Sequence, residues 1–487
     1  MFTLTDWIVL VAFLVFSAGL GLFVSREKKD KKDFKQYMFG GGSIPWVAVG
    51  ISLIATSVSA TTFLGAPADV FGADMRFLMF QFGGLLSIVV VGLVFIPRFR
   101  KSGIQSAYEL FEVKFSKGTR KLAAIFYCLH LLLRTGILLY APALVLERMI
   151  GIDLHWAILI TAVIAIFYTW FGGIKAVIWT DVLQFCVFFF GGCFVLYLIA
   201  RDCGGFGVMA DMASAAGKTK WFDAGLDIAN DRTLISAGLA YAVLEIAIRG
   251  CDQQFVQRYL SCKSPKAANA SSILSMVLGC VVSILFYWVG AALYVYYKTA
   301  NVAALPEGVG QNDVFPHFII NALPTGVKGL IVAAICAAAM SSLSSAINSL
   351  SNTTENDLLG KGHDSASLMR AKIWTVVWGL LGIGGAFFAA AQAGSLLKSA
   401  LFFTGLFTGP LLGMFVLAFF FEKAKSYAVI AGVLCGMSSL FIFNGIKPFG
   451  IEPLIAGVFS WPWFPLISCT TTVVMALLIS LPSYLKK

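Results

Sequence analysis

Residues 337–349 read Ala-Ala-Ala-Met-Ser-Ser-Leu-Ser-Ser-Ala-Ile-Asn-Ser, inside an apolar stretch long enough to cross a membrane. Ser341, Ser342, Ser344 and Ser345 bring four hydroxyls together with no charge among them. On a helix Ser341, Ser344 and Ser345 share one face, and Ser342 is turned away by about 100°, so Ser341 can serve two directions. Neutral oxygens at membrane depth suit a small, hard, monovalent cation, whereas calcium would ask for several carboxylates. A structural alternative stands beside this one. Serines in membrane helices also bond back to the carbonyl four residues earlier, or let neighbouring helices approach closely.

Ionisable residues within a span mark functional sites by default. Arg134 sits about halfway along the span at 121–146, too deep to snorkel, and its guanidinium fork fits a carboxylate. That carboxylate belongs either to a substrate, which we prefer, or to the protein itself. Glu245 and Arg249 are four residues apart, so they pair with each other or leave Arg249 to read a second anionic group. Asp181 opens a span at the depth of Ser344 and Ser345, where one carboxylate and several hydroxyls make a cation site. Its alternative role is a helix N-cap together with Thr180. The ten cysteines lack a CxxC pair and the four histidines are scattered, which argues against a metal cluster. With no nucleophile–base pair or nucleotide loop in view, nothing supports an enzyme.

These residues need a membrane scaffold, and the composition supplies one. Of 487 residues, 59% are hydrophobic and 13% charged, against roughly 25% charge for a soluble domain. The sequence predicts an all-α polytopic membrane protein of about thirteen spans, from 4–24 to 462–483, each with about 20 apolar residues. Continuous apolar runs exclude a β-barrel. The first span lacks a cleavage site and is read as retained. The net charge of +11 follows the bilayer rather than a nucleic acid. Of 36 lysines and arginines, 24 fall on segments expected inside and ten outside, which places the N-terminus outside and the C-terminus in the cytoplasm. Arg258 is counted among the inner loop charges. The basic linker 25–36 and a surface helix from 98 to about 120 are read as anchors to anionic lipid. Residues 351–370 are expected as a polar inner loop.

Two spans are irregular. Ile-Ala-Thr-Ser-Val-Ser-Ala-Thr-Thr-Phe (54–63) gathers hydroxyls halfway across span 45–70, and span 233–255 carries Glu245, Arg249, Gly250 and Asp252. Hydroxyls replace backbone bonds where a helix unwinds. Lying five spans apart with opposite entry directions, they suggest two inverted five-helix repeats, at 45–200 and 233–421. A leading helix and linker (1–40) and two trailing helices (427–487) complete the chain.

Gly-Gly-Gly-Ser-Ile-Pro (40–45), Ala-Thr-Ser-Val-Ser-Ala-Thr-Thr-Phe (55–63), Gly-Gly-Ile-Lys-Ala-Val-Ile-Trp-Thr-Asp-Val-Leu-Gln (172–184), Val-Gln-Arg-Tyr-Leu (256–260) and Ala-Ala-Ala-Met-Ser-Ser-Leu-Ser-Ser (337–345) occur in order. Together they resemble the sodium:solute symporter family. The resemblance implies a Na+ site formed by the carbonyls of Ala55, Val58 and Ala338 with the hydroxyls of Ser341 and Ser342. It also implies a second Na+ site from Asp181, Ser341, Ser344 and Ser345, which only some members have. Within the family the chain is most similar to bacterial sialic acid symporters. These place hydroxyls at Ser57, Ser59 and Thr62, an aromatic at Phe77, glutamine at Gln81 and arginine at Arg134. The chain departs from them where Ser57 replaces a threonine and where Glu245, Arg249 and Asp252 replace uncharged residues. The expected function is sodium-coupled import of an anionic sugar acid, sialic acid foremost, by alternating access. Monocarboxylate or vitamin symport is the nearest alternative, and a substrate sensor or a passive channel belongs to another class. The partners expected are the small anionic substrate, sodium ions and the bilayer, with no nucleic acid and no obligate protein partner.

Overall fold

Backbone amides in hydrocarbon have no water to bond, so apolar runs satisfy them internally as helices. A computed structural model describes residues 2–25, 33–300, 302–360, 366–391, 396–444, 455 and 457–485. The linker residues Arg26, Lys28, Lys29, Lys31 and Lys32 lie outside them. The chain begins with α1 Leu4–Ser25, α2 Phe34–Phe39, α3 Trp46–Ser57, α4 Ala60–Gly72, α5 Phe80–Val90, α6 Ile96–Ser102, α7 Glu109–Lys114 and α8 Lys117–Ile150. It continues as α9 Leu154–Asp202, α10 Phe206–Ala215, α11 Tyr241–Cys251, α12 Gln253–Ser261, α13 Pro265–Tyr294, α14 Val314–Ala322 and α15 Val327–Thr353. It ends with α16 Ser367–Ala391, α17 Leu396–Phe420, α18 Ser426–Asn444 and α19 Phe464–Leu485. Among the described residues there is no strand, only an isolated bridge between Ile44 and Cys262.

Among the described residues, ten helices are long and apolar enough to cross a membrane, or eleven with the bent pair around residues 58–59 counted as one span. The sequence led us to expect about thirteen. Part of the difference is α9, whose 49 residues are counted once, and part is α17, of which only Leu406–Phe420 enters the count. At 1.5 Å per residue α9 is about 70 Å long, more than twice a hydrocarbon core of about 30 Å. It is broken at Gly173 (φ 57°, ψ −151°), where an added Cβ would collide with the Tyr37 carbonyl oxygen. Only glycine fits such a backbone and such a contact.

The serine helix α15 is the hub. Every residue from Ile331 to Thr353 is buried, and the helix packs on α9, α8, α1 and α16. Its first amides would be orphaned, but Asp6 of α1 reaches across: its Oδ1 accepts from Gly326 N (2.7 Å) and Gly329 N (3.1 Å). The leading helix thereby fixes the height of the serines.

Three expectations shift. The polar segment at 351–370 is not all loop: the helix runs on as a buried π-turn, Thr354–Leu358, where Glu355 pairs with Arg370 (2.6 Å) and Asp357 with Arg120 (2.8 Å). Acidic groups stay helical there because each has a cationic partner. The segment 98–120 holds two short helices, α6 and α7, rather than one. The span at 233–255 ends at Cys251, because Asp252 turns extended (φ −75°, ψ 126°) and caps α12, accepting from Gln254 N at 2.8 Å.

Candidate cation and substrate site

The run at 54–63 breaks where its composition predicts. α3 stops at Ser57, Val58 and Ser59 are extended, and α4 sets off at 57° to α3. β-Branched and hydroxyl residues lose little by leaving the helix. The break meets α15 side-on. Ser341 Oγ lies 3.1 Å from both the Ala55 and the Ala338 carbonyl oxygens, and Ser342 Oγ donates to Ala338 O at 3.0 Å. One hydroxyl proton cannot satisfy two carbonyls, so this cluster is richer in lone pairs than in protons. Ala55, Val58, Ala338 and Ser341 line a cavity of about 10 Å³ closed by Gln184, Phe185 and Phe188 of α9. That is about the space of one water-sized occupant. The five residues named for the first site therefore come together, four on one cavity and Ser342 bonded to its wall.

Asp181 also lies beside α15, but not as an N-cap. It is within α9, eight residues past the Gly173 break, and Thr180 bonds back to Ala176 O (2.9 Å). Asp181 Oδ2 accepts from Ser52 Oγ (2.5 Å) and from Arg258 Nη2 (3.0 Å). The same Nη2 donates to Ser345 Oγ (2.5 Å), Arg258 Nε donates to Ser52 Oγ (2.8 Å), and Nη1 to Gln254 O (2.9 Å). Ser344 Oγ turns to the Ser341 carbonyl (3.2 Å). Arg258 is thus not a loop charge. It is 1% exposed on α12, a helix buried but for Leu260, and its guanidinium stands between Asp181 and Ser345. A charge this deep persists only when paired and hydrogen-bonded. The missed signal was Gln254, Gln257 and Arg258 at helical spacing, a polar face on a segment with no solvent to meet it.

The residues named for substrate fall into three groups. Ser57, Ser59 and Thr62 cluster at the break, where Ser57 Oγ donates to Leu53 O (3.2 Å). Gln81 of α5 donates to Ser283 Oγ of α13 (3.0 Å). Phe77 stacks on Phe80 (4.8 Å) and carries the Arg232 guanidinium over its ring (4.7 Å). Arg134, half-buried on α8, makes no ion pair among the described residues, and Asp252 lies within reach of its electrostatic field. Arg249 does pair with Glu245, at 2.6 Å, and donates to Ser275 Oγ (3.1 Å). The i,i+4 alternative accounts for that couple.

The model of the sodium:solute symporter family matches residues 37–436. The human sodium-coupled monocarboxylate transporter 1 is 32% identical over 454 residues, 92% of this chain and 74% of its own length. The sodium/sialic acid symporter SiaT of Proteus mirabilis is 30% identical over 481 residues, 95% of this chain and 96% of its own. A solved outward-open, substrate-bound Na+-coupled sialic acid symporter superposes with a TM-score of 0.87 at 28% identity, covering 99% of this chain and 98% of that one. The family model and two relatives aligned over more than nine-tenths of this chain agree: the chain belongs to the sodium:solute symporter family.

Proposed function

We propose that the chain is a sodium-coupled symporter that imports an anionic sugar acid, sialic acid foremost, by alternating access. Sodium binds among Ala55, Val58, Ala338, Ser341 and Ser342 and holds the broken segment α3–α4 against α15. The substrate carboxylate then docks on Arg134, with its hydroxyls on Ser57, Ser59, Thr62 and Gln81 and its ring against Phe77. Closure and inward opening release both. The carrying observation is Arg134: a half-buried guanidinium at mid-span with no ion pair among the described residues is a waiting partner for a carboxylate. The near full-length similarity to SiaT supports a sugar acid over other anions. The second set, Asp181 with Ser341, Ser344 and Ser345, holds sodium only in states where Arg258 has left it.

The scaffold fits such a cycle. Helix breaks at residues 58–59 and at Asp252 support inverted repeats at 45–200 and 233–421, framed by 1–40 and 427–487. The charge bias supports an outer N-terminus and a cytoplasmic C-terminus, and the similarity to a bacterial symporter supports a bacterial cytoplasmic membrane. The cycle requires no enzyme activity, nucleic acid or protein partner.

Uptake into proteoliposomes under a sodium gradient tests the proposal. Labelled sialic acid should accumulate above its equilibrium level, and Arg134→Ala should abolish that accumulation. The similarity to monocarboxylate transporter 1 favours one second reading. Accumulation of a short monocarboxylate or a vitamin instead of sialic acid would establish it. Equilibration without accumulation would mark a channel, and binding without flux a sensor.

A further inference from the structure

Gln184 is fully buried in α9, and neither atom of its side-chain amide has a hydrogen-bond partner. The Tyr168 hydroxyl lies near it but donates to the Met340 carbonyl at 3.2 Å. Buried amides are almost always satisfied, because losing water without replacement costs free energy. This one also lines the cavity of Ala55, Val58, Ala338 and Ser341, whose remaining walls, Phe185 and Phe188, offer no lone pair. An amide oxygen is a neutral, hard donor of the same kind as the two alanine carbonyls. Asp181 stands three residues earlier on the same face of α9. Although Gln184 closes the motif at 172–184, the family resemblance assigned it no role.

We propose that Gln184 contributes its amide oxygen to the cation held in this cavity, a proposal that rests on the sodium site described above. An amide oxygen without a protein partner is then available to the ion as a ligand. A purely structural glutamine would be bonded to its surroundings already. Gln184 is also the residue through which α9 senses the ion directly, beside the contacts of α3 and α15.

The experiment is thermal unfolding of the purified full chain in detergent, with sodium titrated against choline and no substrate present. Gln184→Met keeps the side-chain length and removes both polar atoms. Without sodium this variant should unfold at or above the parent's temperature, because the unsatisfied amide is gone. The sodium concentration giving half of the stabilisation should rise at least tenfold. Gln184→Asn, which keeps the amide but shortens its reach, should raise the same midpoint and serves if the methionine variant does not fold. An unchanged midpoint in the variant that folds overturns the proposal. The parent chain reads the underlying site separately. If sodium does not stabilise the parent, the sodium site falls, and Gln184 with it.

Discussion

Two clusters built on the same helix, within two turns of each other, solve the problem of buried oxygen in opposite ways. Around Ala55, Ala338, Ser341 and Ser342 the oxygens are neutral, outnumber their protons and border a cavity of about 10 Å³. Around Asp181 and Ser345 the oxygen set includes a full negative charge, and the chain supplies its own cation in Arg258. A neutral set tolerates vacancy and attracts a small ion only when sodium is present. A buried carboxylate cannot wait in that way, because an uncompensated charge in low dielectric is far more costly than an unpaired carbonyl. The lesson is that hydroxyl count alone does not identify an ion site. What matters is whether the protein has already neutralised the charge that would hold the ion.

The largest expected effect comes from taking the internal cation away. Arg258→Gln leaves Asp181 buried and unpaired, and should lower stability in low sodium by about 3–5 kcal/mol, read by chemical or thermal unfolding in detergent. Rising sodium should recover part of that loss, since the vacated place between Asp181 and Ser345 is then open to an ion. An Arg258→Gln chain as stable as the parent would erase the distinction between the clusters. The paired change Arg258→Met with Asp181→Leu removes both charges and should restore most of the stability, because apolar replacement of a buried ion pair is often neutral.

Next in size is Ser341→Ala, which deletes the one hydroxyl touching both alanine carbonyls. Losing a contact to a charged ligand is worth about 1.5–3 kcal/mol, or about 10–100-fold in affinity. The sodium midpoint of uptake and of stabilisation should rise by that factor. Stability without sodium should change little, since a cavity-lining hydroxyl is all that is lost. Equal loss with and without sodium would make Ser341 a packing residue. Arg134→Ala separates ion from substrate: stabilisation by sodium alone should persist while stabilisation by sialic acid disappears. Arg134→Lys keeps the charge but loses the bidentate fork, and should still cost about tenfold or more in substrate affinity.

Much of this was legible in the sequence, and the failures share a cause. The apolar runs gave helices directly, since hydrocarbon leaves the backbone no other choice. Hydroxyls at 54–63 gave the break, and serines at spacings of three and four gave a face. Arg258 was misassigned because a charge six residues beyond Asp252 resembles a loop residue until its partner is known. That partner, Asp181, is 77 residues away in the chain, and no local pattern announces the pairing. Gln184 was invisible for a related reason. Its significance is a missing bond, and absence of a partner exists only in three dimensions. The helix carrying Asp181 likewise seemed to start at that residue, because the apolar pattern restarts near there. Gly173 makes the actual break, at a backbone angle no composition reveals.

The smallest effect is the sharpest probe of the comparison. Ser344 shares a helical face with Ser341 and Ser345, yet its hydroxyl donates to the Ser341 carbonyl (3.2 Å), while Ser345 and Asp181 engage Arg258. With Arg258 in place, Ser344 loses an ordinary neutral hydrogen bond, worth about 0.5–1.5 kcal/mol. Ser344→Ala should therefore leave the sodium midpoint within about twofold of the parent (~0.4 kcal/mol). The Hill coefficient for sodium should stay near one, as two cations do not share one buried carboxylate at low cost. In the Arg258→Gln background the same serine becomes a ligand, and Ser344→Ala should then cost about tenfold in sodium affinity (~1.4 kcal/mol). A tenfold shift with Arg258 intact would mean that sodium and guanidinium occupy the Asp181 cluster together. The two clusters would then differ in degree of charge rather than in kind.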